Sequence, residues 1–192
     1  MITLEKFNLI KEKYGCYSSW AVWADEGDKP KSNVGDLSVL DPIINNALFA
    51  QLKPDIVLVG LNISRPLGEN YINFHDSRPK ANDYKLRFAL RGTNYYGAYI
   101  TDVIKNLEET KSPKVMNQLN KDPELELKNI NVFKEEMKFV CDKNPQIIAM
   151  GNSVWEILSR HFPKTEIKKI PHYSSHINKE KYREVVREIL SN

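Results

Sequence analysis

IVLVG (Ile56–Gly60) is a short, continuously apolar run that ends on a glycine, and IIAMG (Ile147–Gly151) repeats the pattern later in the chain. A strand with one wet face alternates apolar and polar residues, so unbroken runs of this length mark strands covered on both faces. AYIT (Ala98–Thr101) and EIKKI (Glu166–Ile170) add two more short strands, and the half-polar EIKKI reads as a sheet edge. Helical spacing falls between them. It occurs around Tyr84–Leu90, in a long stretch carrying Val132, Phe133, Met137 and Val140, and from Ser153 to Phe162 behind Asn152 as N-cap. Alternation of β and α predicts a parallel sheet with helices on both faces. The expectation is α/β: one three-layer α/β/α domain over residues 1–192, with a central four-stranded, mainly parallel sheet.

Outward from those strands, Phe7, Ile10 and Tyr14 recur at helical spacing within residues 2–14, and Gly15 ends the run. YSSWAVW (Tyr17–Trp23) reads as extended, and DEGDKPKSNVGD (Asp25–Asp36) as a solvated loop. Asp41-Pro42 predicts an N-cap and first turn, with Ile43, Ile44, Ala47, Leu48 and Leu52 as the buried stripe of a helix that stops before Pro54. Leu107–Asn129, with two prolines and many charges, reads as an insertion or a poorly packed helical excursion. Lys179–Leu190 closes the chain as a helix with Tyr182, Val185, Val186 and Ile189 on one face.

The chain has 192 residues, 41% hydrophobic and 28% charged, enough to bury a core without staples. No apolar run approaches the roughly 20 residues that cross a bilayer, and the first residues form a charged amphipathic stretch, so a cytoplasmic protein without a membrane partner is expected. Cys16 and Cys141 are expected to be buried thiols, and four histidines without ligand spacing predict no metal. The 28 basic and 25 acidic residues leave a net charge of +3, which permits a nucleic-acid partner without requiring one. Walker and dinucleotide-binding glycine motifs are absent.

Open α/β sheets bind ligands beyond the carboxyl ends of their strands. The segments to inspect are therefore Leu61–Asn73, Asp102–Asn106, Asn152–Trp155 and Pro171–Ile177. At the junctions of strands and segments stand Gly60-Leu61-Asn62 with Phe74 following, Tyr99-Ile100-Thr101-Asp102, Gly151-Asn152-Ser153 with Trp155, and His172-Tyr173-Ser174. In this order, over Pro54–Leu190, the four motifs resemble the uracil-DNA glycosylase superfamily. The resemblance implies a monofunctional DNA glycosylase acting in DNA repair on a damaged or deaminated base. Asn62 would orient the attacking water, and His172 would hydrogen-bond the departing base. Phe74 would stack on the flipped base, and Asp102 stands where the family usually reads the base edge with Asn. Ser64, Arg65, Ser174 and Ser175 suit phosphate contacts. The partner implied is DNA, single-stranded or lesion-bearing, met by a monomer. No cofactor is implied, since the cysteines of the iron-sulfur branches are missing.

The chemistry accounts for those residue types. The target nucleotide must leave the stack for a pocket that grips its base by stacking and by its Watson-Crick edge. Negative charge then grows on the base, so a positioned donor such as His172 lowers the barrier. Asn62 can orient a water but cannot take its proton at neutral pH. The sequence also departs from the family pattern. Ile63 and Ser64 replace Pro and Gly, Tyr173 replaces the Pro between His and Ser, and Asp102 replaces Asn. An ionised Asp102 offers only acceptors to uracil, and about 6 Å from the base anion it would cost on the order of 3 kcal/mol at an effective dielectric of about 20. It suits a base with an exocyclic amino group better, or a catalytically inactive nucleic-acid or nucleotide binder on the same fold.

Other features carry less. Ser153 followed by His172 imitates a serine nucleophile elbow, but Trp155 stands where that motif needs glycine. His75 and His176 read as structural or exposed, and His161 as a helix-dipole partner. Lys105, Lys111 and Lys114 are read as a DNA-facing strip or, more simply, a solvated face.

Overall fold

The computed structural model describes residues 2–105 and 107–191; Asn106, in one of the loops singled out above, lies outside the described residues. Helix α1 (Leu4–Tyr14) leads into strand β1 (Ser18–Trp20). A 3-10 turn (Leu37–Leu40) and the single-turn helix α2 (Leu48–Gln51) then precede β2 (Lys53–Asn62) and α3 (Asp83–Leu90). After β3 (Ala98–Ile104) come α4 (Ser112–Lys121) and α5 (Pro123–Val140), then β4 (Gln146–Met150), α6 (Asn152–His161), β5 (Ile167–Ile170) and α7 (Lys179–Ser191).

The strands form one five-stranded sheet in the order β1-β3-β2-β4-β5. Pairing is parallel throughout except for β1, which runs antiparallel along β3. The expectation of four strands is thus corrected to five. Tyr17–Trp23 was read as extended, but only the tertiary pairing of Ser18–Trp20 with Tyr99–Thr101 makes it a sheet edge. EIKKI lies at the opposite edge, as its polarity predicts.

Alternation along the strands sorts the core. Val57, Val59, Tyr99, Val103, Ile147 and Ala149 meet side chains of α1, α4, α5 and α6, whereas Leu58, Ile100, Ile148 and Met150 meet α3 and α7. Helices therefore cover both faces, which is why the central strands carry no polar alternation. Among the described residues no helix is long and apolar enough to cross a membrane.

Three local expectations change. The helix predicted from Asp41 is a string of turns as far as Ala47 and helical only in α2, where Leu48 is buried, as is Leu52 just after it, while Ile43 is 86% and Ile44 64% exposed rather than buried. Asp41 accepts the Ile43 N–H at 2.8 Å and Asn45 the Ala47 N–H at 3.2 Å. These short side chains satisfy the backbone locally and so compete with helix. Leu107–Asn129 is not poorly packed, because α4 and the start of α5 lie within it and Val115 and Leu119 are buried in the core. Gly151, at a φ of 104°, caps α6, and Asn152 is the first helical residue.

Candidate functional site

The connection after β2 leads to β3 on one side, whereas β4, on the other side, leads on to β5. The carboxyl ends of β2, β3, β4 and β5 therefore all emerge at one end of the sheet, where open α/β folds place their ligands. Asn62 ends β2, and His172 follows β5 at the same end of the sheet.

Gly60 and Asp102 are register partners in β2 and β3. A Cβ at position 60 would collide with Asp102 Oδ1 and press on the Phe74 ring, so a glycine is what lets carboxyl and ring approach the strand. Asp102 is buried, and its Oδ2 accepts a hydrogen bond from Asn73 Nδ2 at 2.8 Å. Burial pushes its carboxyl up to about 7, while the Asn73 bond and the Lys105 ammonium pull the other way. Oδ1 is the oxygen left toward Gly60 and Phe74.

Phe74 adopts a φ of 66° and is buried. Its carbonyl receives the Trp23 indole N–H at 3.0 Å, which holds this strained residue in place. Tyr173 packs edge-on to the Phe74 ring with centroids 6.5 Å apart. On its other side Tyr173 stacks on His172, at 4.3 Å and 27° between planes.

His172 is half-buried, beside the Gly151 turn. Its Nδ1 accepts the Ser174 backbone N–H at 3.1 Å and lies 2.7 Å from Ser174 Oγ. An Nδ1 that accepts a backbone N–H carries no proton, so these bonds assign the neutral ring's proton to Nε2. Burial lowers the imidazole to about 4 and keeps it neutral at pH 7. Asn62 spends its Nδ2 hydrogens on the carbonyls of Ile63, Leu107 and Glu109 at 2.8–2.9 Å, which orients its Oδ1 as an acceptor.

The structure thus gathers Gly60, Asp102, Phe74 and His172 into one chain of contacts, with Asn62 on the same strand as Gly60. The phosphate candidates fare unevenly. Ser64 is exposed, Arg65 lies 3.5 Å from Asp76, Ser174 is engaged by His172, and the Ser175 hydroxyl is buried and turned inward. Ser175 is therefore corrected from a phosphate contact to an interior position. A cavity of about 440 Å3 touches His172, but Gly151, Asn152, Lys169, Ile170, Pro171 and Ile189 complete its lining, and Asn62, Phe74 and Asp102 take no part in it.

Further expectations need correcting. Lys105 is no surface cation. It is buried, its Nζ bonds Thr101 Oγ1 at 2.6 Å and Glu136 Oε2 at 2.5 Å, and Glu136 also receives the Tyr99 hydroxyl. A buried lysine needs such a partner, and Glu136 is supplied by α5, far along the chain. Lys111 and Lys114 are exposed, the latter 3.3 Å from Glu109. Cys16 is exposed rather than buried, whereas Cys141 is buried. His161 sits in the last turn of α6, 2.6 Å from Glu126, and His176 is exposed. His75 is fully buried, with Nε2 2.9 Å from Ser19 Oγ.

Sequence reasoning passed over Asn73 and Asp83. Asp83 is the first residue of α3, is buried, and directs its carboxyl to the Tyr173 hydroxyl; burial and then the nearby Asp76 carboxylate push it up to about 7. An acid at a helix start is an ordinary capping signal, so nothing local distinguished it. Among the described residues no cluster of three or more His, Cys, Asp or Glu has metal-binding geometry. Comparison with protein-family models, with curated proteins and with solved structures finds no match.

Proposed function

We propose that this chain has a three-layer α/β/α, uracil-DNA glycosylase-like fold and hydrolyses the N-glycosidic bond of a damaged or deaminated base in DNA, held at the carboxyl ends of β2, β3 and β5. The observation that carries this reading is the hydrogen bonding of His172. A neutral ring whose Nδ1 is occupied by Ser174 presents Nε2–H as a donor, the group that stabilises negative charge growing on a departing base. Asn62, its amide nitrogen tied to three carbonyls, offers Oδ1 to orient a water toward the sugar. Asp102 reads the base edge through Oδ1. With a carboxyl raised to about 7 it holds a proton part of the time, and in that form Oδ1 carries a donor while Oδ2 stays on Asn73.

The test is a panel of single- and double-stranded oligonucleotides carrying uracil, hypoxanthine, xanthine or an alkylated base, followed under single-turnover conditions. Cleavage of at least one is expected, with His172→Ala slowing it by ~100- to 1,000-fold, the usual effect of deleting one such donor. Absence of both cleavage and base-dependent binding overturns the proposal. Binding without cleavage selects a second reading, a noncatalytic nucleic-acid or nucleotide binder, which the burial of Phe74 beneath Tyr173 favours.

A further inference from the structure

The ring of Tyr173 packs against both Phe74 and His172, the two residues proposed above to stack on the base and to hydrogen-bond it. Its hydroxyl faces the Asp83 carboxyl on α3. The backbone on either side of it is pinned. The Pro171 carbonyl accepts the Tyr182 hydroxyl at 3.1 Å, the Ser175 N–H donates to the His172 carbonyl at 2.9 Å, and Lys85 Nζ donates to the carbonyls of Ser175 and Ile177 at 2.9 and 2.8 Å. A ring on so fixed a backbone leaves its place by side-chain rotation and not by loop movement.

From this arrangement we infer that Tyr173 is a plug in the base site: in the resting chain its ring covers Phe74 and His172, with Asp83 as its latch, and a base enters only when the ring swings out. The inference rests on the base site proposed above and adds its regulation. α3 is then the clamp of the site, holding the loop backbone through Lys85 and the ring through Asp83. A competitor built into the chain lowers apparent affinity by the fraction of molecules in which the site is open. It also favours bases already out of the stack, since an intact duplex would add its own unstacking cost to that of displacing the ring.

The experiment compares binding of single-stranded oligonucleotides bearing uracil, hypoxanthine or xanthine with the same strand bearing a tetrahydrofuran abasic analogue. The ratio isolates the contribution of the base. Tyr173→Ala is expected to raise that ratio, taken against the same variant's abasic affinity, ~10-fold or more. Asp83→Ala and Tyr173→Phe each remove the latch, and are expected to raise it by similar, smaller factors that do not add in the double variant. A second readout keeps the wild-type fold: 3-fluorotyrosine labelling, with the Tyr173 signal assigned by its loss in Tyr173→Phe, should shift toward the solvent-exposed position on saturation with the preferred strand. If the wild type prefers a base but Tyr173→Ala leaves or lowers that preference, or the fluorine signal stays put at saturation, the plug is refuted and the base site stands. If no variant and no wild-type sample distinguishes base from abasic strand, the base site itself falls.

Discussion

His172 and Asp102 are shifted in opposite directions by one cause. Burial disfavours the charged form, so it lowers the imidazole to about 4 and raises the carboxyl to about 7. The first residue is then a fixed donor near neutrality, while the second changes its hydrogen-bonding character there. Protonated below pH 7, Asp102 can donate from Oδ1 to a uracil carbonyl oxygen; ionised above it, it only accepts, which suits an amino-bearing base. Uracil-dependent binding is therefore expected to strengthen as pH falls from 8 to 6, and Asp102→Asn to flatten that dependence and strengthen binding at pH 8. Anisotropy titrations across this range check it, and a flat wild-type profile would remove Asp102 from the base edge. The neighbours that place Asp102 for this behaviour are Asn73, which bonds Oδ2, and Gly60, which makes room for Oδ1. Gly60 was legible as the end of an apolar run; Asn73 was not, because its role depends on a side chain of a strand it only meets after folding.

At the level of elements, hydrophobic runs located β2, β3, β4 and β5 and the helices packed on them, since a buried strand or helix face must be apolar whatever its neighbours. The same rule failed between Asp41 and Leu52. Ile43 and Ile44 fit a helical stripe, but Asp41 and Asn45 close local turns and leave both isoleucines in water, while Leu48 is fully buried. Replacing Ile43 or Ile44 by Ser is accordingly expected to change unfolding free energy by no more than about 0.5 kcal/mol. Leu48→Ala is expected to cost about 2–5 kcal/mol, as truncations of buried leucines do. Urea denaturation of the three variants checks the contrast, and a large loss at Ile43 or Ile44 would restore the helix. Strand β1 was visible as an extended segment only. Its place at the sheet edge comes from pairing with β3, a contact between distant parts of the chain.

Across the whole molecule, buried ionisable groups set the response to acid. His75 is fully buried and lowered to about 4 by desolvation, so it folds neutral and takes up a proton on unfolding at mildly acid pH. Its contribution is fully present above the ordinary histidine value of 6.5 and is lost as pH falls toward 4, on the order of 3 kcal/mol over the window. Asp83 and Asp102, both raised to about 7, act the other way. They stabilise the fold at acid pH, and that contribution is lost as pH rises from 3.8 toward 7. The wild-type curve between pH 4 and 7 is thus a difference of opposed slopes. Asp102→Asn is expected to expose a steeper loss of stability toward pH 4, and His75→Gln to make stability fall as pH rises, both measured by denaturation midpoints at stepped pH. Parallel curves for wild type and variants would contradict the assigned burial effects.

Taken alone, the amino-acid sequence determined that this chain builds a largely parallel sheet covered by helices, and it set the candidate site residues where the strands end. Burial of apolar runs is a local demand, and Asn62, Asp102 and His172 stand directly at or after those runs. Tertiary structure alone decided what surrounds those candidates: Lys105 turned inward to Glu136, Asp83 brought to the loop after β5, and Tyr173 packed against both Phe74 and His172. Each is a contact between segments remote in sequence, and hydrophobic periodicity along one element carries no information about which distant side chain fills the space beyond its end.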